Sequence, residues 1–170
     1  MPNLREAIAS TALASLEWSE ERERAIDRVA ASGKVSRLGL DLWKAKYMLE
    51  AQAYQDARIA LVKAFSDRYK AETEQIAIAC VDEALHEYLG PGCKVCLGAK
   101  ELTVENLRII CNGCDGSGLQ RYTDYDRAKH MQLSMGRVRL LAGKLTWLSG
   151  ELGSLDRGVN AVLAVELERA

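Results

Sequence analysis

The chain has 170 residues, with 23 basic and 24 acidic side chains, a net charge of −1, and a composition 48% hydrophobic and 28% charged. That is ordinary for a soluble globular protein with a real core, and it suits one compact domain or one domain with a small appendage. It excludes indiscriminate coating of nucleic acid by surplus positive charge, and no segment approaches the ~20 apolar residues of a membrane span.

The average charge hides a distribution. Residues 1–90 carry 12 basic and 15 acidic side chains, residues 91–150 carry 9 and 5, and residues 151–170 carry 2 and 4. Positive charge gathered on the middle segment is the footprint that a phosphate backbone selects, with a merely solvated face as the plainer alternative.

The first 89 residues read as a helical body. Both prolines, Pro2 and Pro91, stand at edges, and between Leu40 and Leu89 there is neither Pro nor Gly, so only caps and pattern shifts divide the run. Ser19 is a good N-cap with acid behind it, and Ser32-Gly33 closes that helix after Ala25, Ile26 and Val29 line one face. Ser36 opens the next, where Leu38, Leu42, Ala45, Leu49 and Gln52 or Ala53 recur at three-to-four spacing, continued by Ala57, Leu61, Ala64 and Phe65. After the polar stretch 67–72, Thr73 caps a helix carrying Ile76, Cys80, Ala84 and Tyr88, which places Cys80 in the core as a small apolar residue. Trp18, Trp43 and Trp147 have apolar neighbours at helical spacing and read as core or interface anchors.

Residues 90–121 form a second unit. Four of the five cysteines fall in two knuckles, Cys93-Lys-Val-Cys96-Leu-Gly98 and Cys111-Asn-Gly-Cys114-Asp-Gly116-Ser-Gly118. Each Cys-x-x-Cys holds a tight turn that brings two thiolates to one metal, with glycines freeing backbone amides to bond the sulfurs. Fourteen residues separate the pairs, enough for a hairpin that folds Cys111 and Cys114 back on Cys93 and Cys96 and closes a four-thiolate structural zinc site. Two disulfides would need an oxidising compartment, and residues 1–10 have no apolar signal core. A redox Cys-x-x-Cys would be single and near a βαβ pattern, and a catalytic zinc would keep an open position. His86 and His130 stand outside the cluster and read as solvated or partner-facing. Between the knuckles, Glu101–Val104 and Leu107–Ile110 read as two short strands about Glu105-Asn106, a zinc ribbon.

Residues 122–170 return to helix. A short helix over 122–131 is capped by Thr123, Gln132-Leu133-Ser134 is a turn, and Ser134 caps a helix with an inner stripe of Val138, Leu141, Ala142, Leu145 and Leu148. This is a helix-turn-helix-like outline, with Arg137, Arg139 and Lys144 facing outward and Arg127 and Lys129 in support as candidate DNA-binding residues. A last helix starts at Ser154, carries Leu155, Val159, Val162, Leu163 and Leu167, and packs on the body or on a second subunit, as in a homodimer. The expected fold class is mainly α: a helical body over 1–89, an inserted zinc ribbon over 90–121, and C-terminal helices over 122–170 packing on the body. No His-Glu-x-x-His, phosphate-binding glycine loop or nucleophile elbow is present, so an enzyme is not expected.

The second knuckle matches Cys-x-x-Cys-x-Gly-x-Gly in full and is similar to the cysteine-rich module of DnaJ-type chaperones, which carries four such repeats where this chain has two. From about Trp18 onward the chain more closely resembles the late-gene antitermination protein Q of lambda-like bacteriophages: a helical body, Pro91-Gly92 leading into paired knuckles, an aromatic-rich short helix after Gly118, then C-terminal helices. The first knuckle departs from the repeat, with Lys100 where its final glycine belongs. The resemblance implies zinc on Cys93, Cys96, Cys111 and Cys114, and binding to double-stranded DNA near a late promoter. It further implies engagement of paused bacterial RNA polymerase with its sigma factor, terminator read-through, and a place in the host bacterial cytoplasm. The alternative is a zinc-ribbon, chaperone-like module that binds unfolded chains.

Overall fold

The computed structural model describes residues 20–90, 92–104, 107–116 and 118–168. Trp18, the expected cap at Ser19, Pro91 and the turn residues Glu105 and Asn106 lie outside the described residues, as do the side chains of residues 20–23. Among the described residues six α-helices are seen: α1 (Glu20–Ser32), α2 (Arg37–Trp43), α3 (Ala51–Arg68), α4 (Glu74–Leu89), α5 (Asp124–Met131) and α6 (Met135–Glu168). Strands β1 (Glu101–Val104) and β2 (Leu107–Ile110) pair antiparallel between α4 and α5, with Glu101 opposite Ile110 and Val104 opposite Leu107. The protein is mainly helical with one small hairpin, and no described helix is long and apolar enough to cross a membrane.

Short polar side chains set the helix starts. Ser36 Oγ accepts from the Gly39 amide at 3.1 Å, Thr73 Oγ1 from Ile76 at 3.4 Å and Ser134 Oγ from Arg137 at 3.2 Å, each satisfying an amide the first turn leaves unpaired. α5 has a full capping box: the Asp126 amide donates to Thr123 Oγ1 at 3.2 Å, and the Thr123 amide donates to Asp126 Oδ2 at 2.9 Å. Gly33, at φ 64°, ends α1 as expected.

Two departures from the sequence reading stand out. The stripe from Leu38 to Phe65 is not one helix. α2 runs into a π-helical turn, Lys44–Met48, and Leu49 adopts the left-handed region at φ 57° with its side chain exposed. The wider turn re-phases the chain, so α3 restarts with Ala53, Ala57, Leu61 and Phe65 inward and Ala64 outward. The second departure is the C-terminus. No helix starts at Ser154, because α6 runs unbroken for 34 residues, about 51 Å at 1.5 Å per residue. Ala142, expected inside, faces out.

α6 is the spine of the molecule. Its buried positions Val138, Leu141, Leu145, Leu148 and Leu152 close a core with Leu42, Ala57, Leu61, Phe65, Val81 and Leu85 of α2, α3 and α4. Its later positions Val159 and Leu163 join a second cluster with Ala25, Ile26 and Val29 of α1 and Leu40 and Trp43 of α2. Cys80 is fully buried in the first cluster, where burial pushes its thiol up to about 11. Trp43 is fully buried and donates from Nε1 to Asn160 Oδ1 at 3.0 Å. Trp147 stacks edge-on against Tyr69 with the Arg68 guanidinium 5.0 Å over its ring, so both tryptophans are packing anchors.

Candidate metal centre

The hairpin between the knuckles carries little of its own stability. Every residue of β2 is exposed, and of β1 only Leu102 packs inward, against the cysteines. What orders this segment converges on the four sulfurs. Cys93, Cys96, Cys111 and Cys114 are all buried, and their Sγ atoms lie within 4.8 Å of one another. Cys93 and Cys111 sulfurs stand 3.9 Å apart, and Cys96 and Cys114 sulfurs 3.7 Å. A tetrahedral ion with four thiolates at about 2.3 Å has sulfur–sulfur edges of about 3.8 Å, so these separations fit a closed metal site. They are far beyond bonding distance for a disulfide, and all five cysteines are free.

The two knuckles are built alike. Leu97 and Gly98 in the first, and Asp115 and Gly116 in the second, take successive left-handed conformations that swing the following amides back toward the sulfurs. The Gly118 amide donates to Cys114 Sγ at 3.3 Å. The knuckles also exchange backbone bonds, the Cys93 amide donating to the Gly118 carbonyl at 2.8 Å and the Cys111 amide to the Lys100 carbonyl at 3.0 Å. Gly113 is needed for the close approach, since a Cβ there would stand 2.6 Å from Val95 Cγ2.

Electrostatics sort the thiols. Backbone amides of Cys96 and Val95 hold the Cys93 thiol below its ordinary range. Burial opposes ionisation at Cys114, but the amides of Gly118 and Gly116 and the neighbouring cysteines outweigh it and bring that thiol down to about 6. Cys111 is pushed up to about 11, chiefly by burial. A cluster in which backbone amides lower two of the four thiols is suited to hold a soft or borderline cation, and four sulfurs around such an ion leave no coordination position for substrate.

The basic candidates are placed differently from one another. Arg137 and Lys144 do not simply face solvent: both reach Glu72, at 2.5 and 2.7 Å, with that carboxylate largely buried between them. Arg127 is spent on a two-pronged contact with Glu87 at 2.6 and 3.0 Å. Arg139 touches Asp124 at 3.3 Å but keeps 66% of its side chain exposed. Lys129 is exposed. The histidines, expected to be solvated or partner-facing, face each other with ring centroids 4.6 Å apart, and His130 Nδ1 lies 3.5 Å from the buried Glu83. Neither Glu72 nor Glu83 was singled out by the sequence, for Glu72 meets partners 65 and 72 positions away and no local pattern announces such a pairing.

No protein-family profile, no curated protein and no solved structure matches this chain.

Proposed function

We propose that this protein is a phage transcription antitermination factor that binds double-stranded DNA near a late promoter, engages paused bacterial RNA polymerase with its sigma factor, and carries the enzyme through terminators. The observation that carries the reading is the position of the four-cysteine centre, set between a helical body and a capped short helix, three-residue turn and long helix. The ion of that centre is zinc in a structural role: four thiolates at these separations suit its tetrahedral preference. Metal binding then orders a hairpin too exposed to order itself. Of the basic candidates, Lys129 is exposed and Arg139, though beside Asp124, keeps most of its side chain in solvent to meet phosphate, whereas Arg137 and Lys144 reach it only by leaving Glu72.

The test is run-off transcription through a terminator from a late-promoter template, with parallel binding to promoter-proximal duplex. Read-through is expected with the parent. Arg139→Ala and Lys129→Ala should weaken duplex binding and flatten its salt dependence by about one unit for each lost phosphate contact. Glu72→Gln, which releases two cations, should tighten binding. A protein that never alters termination, and binds duplex no better than a neutral control, refutes the reading.

One observation favours a second reading, a chaperone-like module for unfolded chains. Val104, Leu107, Ile109 and Ile110 are all exposed on the hairpin, an unusual gathering of large apolar side chains for so small a sheet. Suppression of client aggregation without any effect on termination would decide for it.

A further inference from the structure

We infer that the cleft between the knuckle module and the helical body is a binding site for a small organic phosphate, gripped by Lys100 and Arg157. The cleft encloses about 790 Å³ and is walled by residues of the π-helical turn, α4, α6 and both knuckles. Size and setting are those of a ligand site, since such sites favour clefts of a few hundred to a thousand Å³ at junctions between structural units.

The charge lining it is not balanced. Lys46 Nζ is matched by Asp156 at 3.5 Å, and Glu87 is already taken by Arg127. Lys100 and Arg157 remain, and among the described residues neither has an acidic partner. Two uncompensated cations, one from the module and one from α6, call for a ligand group of about two negative charges, which a phosphate monoester supplies near neutral pH.

Tyr88 and Asp156 are neighbours in the wall, and burial, then the charge of Asp156 and a hydrogen bond to it, keep the Tyr88 hydroxyl protonated far above the ordinary range. Leu119, 38% exposed at the module side of the cleft, offers apolar surface for the rest of such a molecule. None of this depends on the transcriptional reading.

The experiment is calorimetric titration of the metal-loaded full-length protein with ribose 5-phosphate, adenosine monophosphate, inorganic phosphate and uncharged adenosine. The phosphate monoesters should bind and adenosine should not. Arg157→Ala and Lys100→Ala should each weaken binding at least about tenfold, with thermal midpoint and metal content kept in Arg157→Ala. The inference fails if neither monoester binds at millimolar concentration, or if binding survives both cation variants unchanged. It also fails if only duplex DNA, and no monoester, binds in a manner dependent on Lys100 and Arg157.

Discussion

Lys100 and Gly118 hold the same place in the two knuckles, at φ 69° and 76°, and each offers its carbonyl to the first cysteine of the opposite knuckle. Glycine enters this left-handed region freely, while a residue with a Cβ is strained there by about 1–2 kcal/mol. The metal site therefore imposes on Lys100 a conformation its side chain disfavours. Lys100→Gly should raise the thermal midpoint of the metal-loaded protein, by about 0.5–1 kcal/mol after allowance for glycine's freer unfolded chain. Gly118→Ala should lower it by more, since the new Cβ would stand 2.8 Å from the Gly98 carbonyl oxygen. Equal melting of both variants and the parent would sink the argument.

Metal removal should separate the module from the body. The helical clusters are built without any knuckle residue, so chelation is expected to leave most far-ultraviolet helix signal in place while amides of 92–119 lose protection from hydrogen exchange. Elemental analysis should find one zinc per chain in the parent and none in Cys111→Ser. A full complement of metal in that variant would remove Cys111 from the site.

The parts of this fold legible in sequence are those whose cause is local. The clustering of the four cysteines announces itself by spacing, the hairpin by β-branched and apolar runs about a polar pair, and the caps at Ser36, Thr73, Thr123 and Ser134 by residue type. The break at Leu49 is not marked by any Gly or Pro, and it follows from a π-helical turn that tertiary packing selects. The outward-facing reading of Arg137 and Lys144 missed Glu72 because helical periodicity says which side a residue is on, not which distant carboxylate waits there.

Glu83 gives a pH signature. It is buried, its Oε1 has no hydrogen-bond partner, and burial followed by the charge of Glu87 raises its pKa, with His130 and Arg127 pulling the other way. A carboxyl that ionises less readily in the folded chain stabilises the fold while protonated, so its contribution is full below its ordinary value of 4.5 and is lost as pH rises through the raised folded value. Glu83→Gln should therefore melt higher than the parent at neutral pH, and the advantage should shrink as the pH falls through the raised folded value and be gone below 4.5. Denaturation curves in which the gap stays constant with pH would show that Glu83 ionises normally.

The unbroken course of α6 can be tested at Gly150, which lies between the stripe ending at Leu148 and the fresh helix that the sequence suggests at Ser154. The buried positions of α6 pass through this point in steady steps of three and four, Leu145, Leu148 and Leu152, with no phase shift. A Cβ at Gly143, Gly150 or Gly158 would meet nothing within 4 Å, and none of the three has a positive φ. Alanine at each should thus stabilise by about 0.5–1 kcal/mol, the ordinary gain for replacing glycine inside a helix. Ser154→Pro supplies the opposite arm. Inside a continuous helix it removes a backbone bond and clashes with the preceding turn, at a cost of about 3 kcal/mol, whereas in the first turn of a fresh helix proline is tolerated. Thermal melts showing Gly150→Ala destabilised and Ser154→Pro unharmed would mean two helices, the second starting at Ser154. The opposite pair of shifts is expected, because only a single rigid α6 can bridge the cluster around Leu148 and the cluster around Val159.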